Sequence, residues 1–127
     1  MQNNRPRNIN VTDLARYKFP AAAICSILHR ISGVFILVFT PLVIWILDIA
    51  LRSNASFVEL QGCLTSNYGK VFIWLCLSAF GYHFVAGLRH IFMDIGFGET
   101  LRLGNWSARI VILLAVLLSI FVGVWLW

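Results

Sequence analysis

Two short runs hold side chains that a lipid-soluble chain has little reason to keep. "SILHRISG" sets Ser26, His29, Arg30 and Gly33 at i, i+3, i+4 and i+7, which is one face of a helix. "YHFVAGLRHIFMD" sets His83, Gly87, His90 and Asp94 at i, i+4, i+7 and i+11, again one face. An ionised group at membrane depth costs roughly 2.5–3.5 kcal/mol on insertion scales, so a partner for it is expected. His83 lies about 11 residues, roughly 16 Å of helical rise, from Asp94, which makes it the deepest titratable group of its run. Neutral imidazole is a common axial ligand of haem iron, and a flat apolar macrocycle fits between helices. Gly87, one turn on, removes a side chain where a porphyrin edge would pass. The same spacing also fits a histidine satisfied by a serine or a carbonyl on a neighbouring helix.

Arg30 suits a haem propionate through charge-assisted hydrogen bonds, with His29 supporting the same group. Snorkelling of Arg30 to the interface is the competing reading, but it leaves Ser26 and His29 on the same face without a reason. Ser26 is a donor suited to a quinone carbonyl, whose oxygens gain negative charge as electrons enter.

These faces must be carried by elements made for lipid. The chain has 127 residues, 60% of them hydrophobic and 12% charged, with a mean hydropathy of +0.84. Three stretches without a charged group, Ile31 to Leu47, Val71 to Leu88 and Ile110 to Trp127, match the hydrocarbon core once their flanks are added. The expected fold is therefore all-α, an integral membrane protein with three transmembrane helices at about 21–51, 68–95 and 106–127. A cleaved signal peptide is disfavoured, because the small residues of "AAAICS" open the apolar run instead of following it. Pro20 suits a helix start, and Pro41 predicts a kink. The connection "RSNASFVELQGCLTSNYG" is turn-rich, with room for a short amphipathic piece, and "GFGETLRLGN" makes the second connection. Ala115, Ser119 and Gly123 at four-residue spacing read as a close-packing face. Cys25, Cys63 and Cys76 lack metal-ligand spacing and are expected as free thiols.

Net charge is +5, and its placement predicts topology. Arg5, Arg7, Arg16 and Lys18 in the arm of residues 1–20, and Arg89, Arg102 and Arg109 around the second connection, outweigh Arg52 and Lys70 around the first. The expected N-terminus is cytoplasmic and the expected C-terminus periplasmic. Trp45, Trp74, Trp125 and Trp127 near the outer ends, and Trp106 near the inner one, agree. No soluble domain remains to present the basic residues to nucleic acid. Both polar faces then lie in one half of the bilayer, which implies a shared pocket. A haem held by two imidazoles needs a second ligand. His90 shares a helix with His83, and His29 is expected to sit shallower, so the second ligand should come from another chain, unless the iron is five-coordinate.

At these residues the sequence resembles the cytochrome b membrane-anchor subunits of bacterial succinate dehydrogenase, respiratory complex II. The likeness rests on "FPAAAICSILHRISGV", on H-x-x-x-G-x-R-H-x-x-x-D in the second span, and on a third span ending the chain. The resemblance implies one membrane-anchor domain over residues 1–127 in the bacterial inner membrane, with haem b shared with a second small membrane subunit that supplies the other ligand. It implies His83 as the iron ligand, His29 and Arg30 at the haem propionates, and Ser26 and Arg30 at the quinone site. It also implies an iron-sulfur subunit and a flavoprotein subunit as partners, and ubiquinone as the electron acceptor. The chain would be a subunit of succinate:ubiquinone oxidoreductase with no catalysis of its own. Arg89, His90 and Asp94 would meet the iron-sulfur subunit or the propionates, or serve as interfacial anchors. The rival readings are a quinol:fumarate reductase anchor and a non-redox helical membrane protein using His83 and Asp94 as a proton relay.

Overall fold

A computed structural model describes residues 17–127; the arm with Arg5, Arg7 and Arg16 lies outside the described residues. Among the described residues four helices follow one another: α1 (Ala21–Arg52), α2 (Asn54–Thr65), α3 (Asn67–Asp94) and α4 (Leu101–Leu126). Among the described residues there is no strand, and α1, α3 and α4 are each long and apolar enough to cross a membrane.

Each boundary has a local cause. Pro20 caps α1: its ring fixes φ at −65°, and its carbonyl accepts the N–H groups of Ala23 and Ile24. The Ala22 N–H, another of the unpaired first-turn donors, goes to Asn105 Oδ1 on α4 at 3.1 Å. Hence α1 and α4 start at the same end of the bundle. α1 runs through Pro41 without a break and closes on an Arg52–Asp48 ion pair. Ser53, extended at φ −164°, turns the chain and opens α2 by a capping box with Ser56: each hydroxyl accepts the other residue's backbone N–H.

The short piece expected in this connection is a 12-residue helix, with its apolar residues only weakly gathered on one face. Ser66 caps α3 by accepting the Gly69 N–H, and Gly69 is obligatory there, since a Cβ would drive into the backbone of Cys63 and Leu64. At its other end α3 stops in a Schellman motif: Phe97 donates to the Phe92 carbonyl and Gly96 to that of Met93, with Gly96 at φ 91°. Thr100 caps α4, which therefore begins at Leu101 and not at Trp106. The glycine read as loop punctuation, Gly104, lies inside that helix and is buried.

The core is thin and made of small residues: Cys25, Ala86, Ala108 and Val111. Large side chains such as Leu37, Phe80 and Phe121 point outward, as expected where lipid is the solvent and helices associate by close approach. The Tyr82 hydroxyl donates to the Cys25 carbonyl at 2.8 Å and ties α3 to α1. The small face of α4 packs as expected. The Ser119 carbonyl accepts the Trp74 indole N–H at 2.9 Å, its hydroxyl pairs with Ser78 at 2.9 Å, and Gly123 leaves room for the Trp74 ring.

Candidate functional site

The two polar faces meet where α1 and α3 cross, and they interlock through a shared spacing. Both helices carry H-x-x-x-G: His29 to Gly33 on α1, and His83 to Gly87 on α3. Each histidine lies against the glycine of the opposite helix. A Cβ on Gly33 would stand 3.1 Å from His83 Cε1, and one on Gly87 would stand 3.4 Å from His29 Nε2. Gly87 thus clears space for His29, in the place where the sequence suggested room for a porphyrin edge. Reciprocal fitting brings the two rings into a stack with centroids 4.1 Å apart and planes 15° from parallel. His29 lies level with Gly87 and His83 level with Gly33, which puts His29 nearer the end of the bundle where α1 starts, as residue counting expected.

Polar bonding differs sharply between the two rings. His83 Nδ1 lies 3.0 Å from Ser32 Oγ and 3.1 Å from the His29 carbonyl. This realises the serine-and-carbonyl reading of His83, but for one nitrogen only. His83 Nε2 makes no hydrogen bond among the described residues. His29 Nε2 is fully buried and also has no partner among them. An unsatisfied buried polar atom carries a desolvation cost of about 1–3 kcal/mol.

Beside His29 a cleft of about 360 Å³ opens between α1 and α3. Ser26, His29, Arg30, Arg89 and His90 line it, with Cys25, Ala86 and two further apolar residues behind. Two guanidinium groups without a lining carboxylate make this cleft attractive to anionic or electron-rich oxygen. Ser26 and Arg30 are exposed, and neither side chain is hydrogen-bonded or ion-paired among the described residues. His90 is exposed, with its ring 6.3 Å from that of His29. Arg89 is already engaged: it donates to Ser107 Oγ and to the Gly104 carbonyl, both at 2.9 Å, and so holds α3 to the start of α4. Asp94 is exposed at the end of α3. His83 does not line this cleft and sits behind His29. Two larger clefts, one near Trp45 and Tyr68 and one near Phe92 and Trp106, have largely apolar walls and offer no comparable donor set.

Residues 1–122 match the family model for the succinate dehydrogenase/fumarate reductase transmembrane subunit. The chain belongs to this family. It is 39% identical over 125 residues to the succinate dehydrogenase cytochrome b556 subunit of Coxiella burnetii, covering 98% of this chain and 99% of that one. The subunit of the same name from Paracoccus denitrificans is 32% identical over 117 residues, with 92% and 88% covered. That of Rickettsia typhi is 31% identical over 126 residues, with 96% and 93% covered. Family membership and three apolar spans together make the chain a multi-pass membrane protein and a membrane subunit of an electron-transporting oxidoreductase family.

The crossing of α1 and α3 fits a haem on chemical grounds. His83 has one nitrogen anchored and the other uncommitted, the arrangement a metal-binding imidazole needs. Arg30, unspent among the described residues, is a donor beside it suited to carboxylates. Ser32, which no reading of the sequence singled out, is the residue that anchors His83. Its only signal in the sequence is its place three residues after His29, next to Gly33.

Proposed function

We propose that the chain is the haem b subunit in the membrane anchor of a succinate:ubiquinone oxidoreductase, holding the iron-sulfur and flavoprotein subunits at the bacterial inner membrane and forming part of the quinone site. The observation that carries this reading is the buried, unpartnered Nε2 of His29, packed on a second imidazole and beside an arginine-lined cleft. His83 would hold the iron through Nε2. His29 and Arg30 would hold the propionates. A second small membrane subunit would supply the other iron ligand. When bound, haem b supplies a one-electron carrier.

The rest of the chemistry rests on this chain's own groups. Reduction of a quinone places negative charge on its oxygens before protons arrive, and fixed donors lower the energy of that charge. Ser26 Oγ and the Arg30 guanidinium, neither spent on a bond among the described residues, would donate to a quinone oxygen from the wall of the cleft. The apolar flank of Cys25 and Ala86 would exclude water from the ring and strengthen those bonds.

An N-terminus in the cytoplasm and a C-terminus in the periplasm accord with the gathering of Lys18, Arg89, Arg102 and Arg109 at the end where α1 and α4 start together. A quinol:fumarate reductase is the alternative direction, since the family description covers both; the relatives, all named succinate dehydrogenase subunits, favour the first.

The test is isolation of the native membrane complex, with its chains and pigment identified. A reducible b-type spectrum and succinate:ubiquinone activity are expected, and a complex without that pigment would overturn the reading. Ser26→Ala and Arg30→Ala should each lower quinone reduction about a hundredfold while succinate oxidation by artificial acceptors persists. Loss of both activities together would remove these residues from the quinone site.

A further inference from the structure

Ser32 is the one buried polar side chain among the described residues, at 8% exposure in a helix that otherwise turns large apolar groups outward. A serine inside a helix normally spends its hydroxyl proton on its own backbone, and this one does so, donating to the His29 carbonyl at 2.8 Å. The oxygen keeps its lone pairs. His83 Nδ1 stands 3.0 Å from that oxygen and 3.1 Å from the same carbonyl. A carbonyl has no proton to give, and the hydroxyl proton is already engaged, so the proton in this triangle sits on Nδ1. Neutral His83 then carries its free lone pair on Nε2.

We propose that Ser32 is a positioning residue for the iron ligand: its hydroxyl, pinned to the His29 carbonyl, accepts the Nδ1 proton of His83 and fixes both the tautomer and the orientation of the ring. This inference rests on His83 as the ligand under the proposed function. Gly33 completes the cradle from the next position, because any side chain there would meet Cε1 of the same ring at about the 3.1 Å given for its Cβ. Two consecutive residues of α1 therefore act on one imidazole of α3, one through a hydrogen bond and the other through space. A donated Nδ1 hydrogen bond makes imidazole a stronger donor to a metal, which favours the ferric state. If Ser32 only served its own helix, removing its hydroxyl would leave His83 unaffected.

The experiment is redox titration and low-temperature EPR of the haem in the native complex carrying Ser32→Ala, Ser32→Thr or Ser32→Cys. Ser32→Ala should move the haem midpoint to a more positive potential and change the ferric EPR spectrum. Ser32→Thr, which keeps the hydroxyl, should restore both. Ser32→Cys, a weak acceptor, should fall between alanine and the native protein. A native midpoint and spectrum in Ser32→Ala overturn the inference; if that variant does not assemble, native values in Ser32→Cys overturn it equally. His83→Ala in parallel separates the two levels. A native EPR spectrum there sinks the ligand assignment and this inference with it. A lost spectrum beside native values in Ser32→Ala sinks only the role of Ser32.

Discussion

Two polar clusters lie between helices of this chain, and they differ in what they leave over. Near the Asn67 end of α3, Trp74, Ser78 and Ser119 each find a partner: the indole donates to a carbonyl and the two hydroxyls share one hydrogen bond. At the crossing of α1 and α3, His83 is half satisfied, His29 Nε2 is buried without a partner, and Arg30 is unspent among the described residues. Both clusters use glycine for close approach, Gly123 in the first, Gly33 and Gly87 in the second. Small residues and hydrogen bonds therefore do not by themselves mark a site in a membrane protein. What sets the second cluster apart is the bonding capacity it leaves unmet among the described residues.

That contrast can be broken from the top down. His83→Ala should abolish the low-spin b-type spectrum of the complex, and an unchanged spectrum would show that another group holds the iron. Gly33→Val comes next: with even a Cβ only 3.1 Å from His83 Cε1, the added methyls must push the ring, and haem affinity should fall roughly tenfold. Full haem occupancy in that variant would mean the interlock is not needed. Arg89→Ala deletes two hydrogen bonds from a charged donor to Ser107 and Gly104, a loss of about 1.5–3 kcal/mol each at most. Thermal inactivation of the solubilised complex should occur at lower temperature, and a native profile would show those bonds to be idle. Smallest of all, Ser119→Ala removes the Ser78 partner but keeps the backbone carbonyl that Trp74 uses. Its cost should be about 0.6 kcal/mol, with the haem spectrum untouched. A spectral change there would erase the distinction between the two clusters.

The three spans were legible because absence of charge over a bilayer's thickness is a long-range signal that needs no partner. The start of α4 was not, since "GETLRLGN" mixes Glu99, Arg102 and two glycines in the manner of a loop. Only in space does Gly104 show itself buried inside α4, its carbonyl accepting from Arg89. Within the candidate site, the shared face of Ser26, His29 and Arg30 was readable from spacing, and these three line one cleft. The repeated H-x-x-x-G was also on view, yet its meaning depends on two antiparallel helices meeting in register, which no single helix reveals. The stacking of His29 on His83 stayed hidden for the same reason, since it exists only across the crossing. Ser32 remained hidden because a hydroxyl bonded to its own helix looks inert until the second acceptor role becomes visible in space.

The most direct measurement is an experimental density map of the assembled native complex at the crossing of α1 and α3. The expected result is a haem whose iron is bonded to His83 Nε2, with Nδ1 still turned to Ser32 and the His29 carbonyl, and with the propionates against His29 and Arg30. Lipid or bare protein in that space, or iron held by a different residue of this chain, would contradict the account.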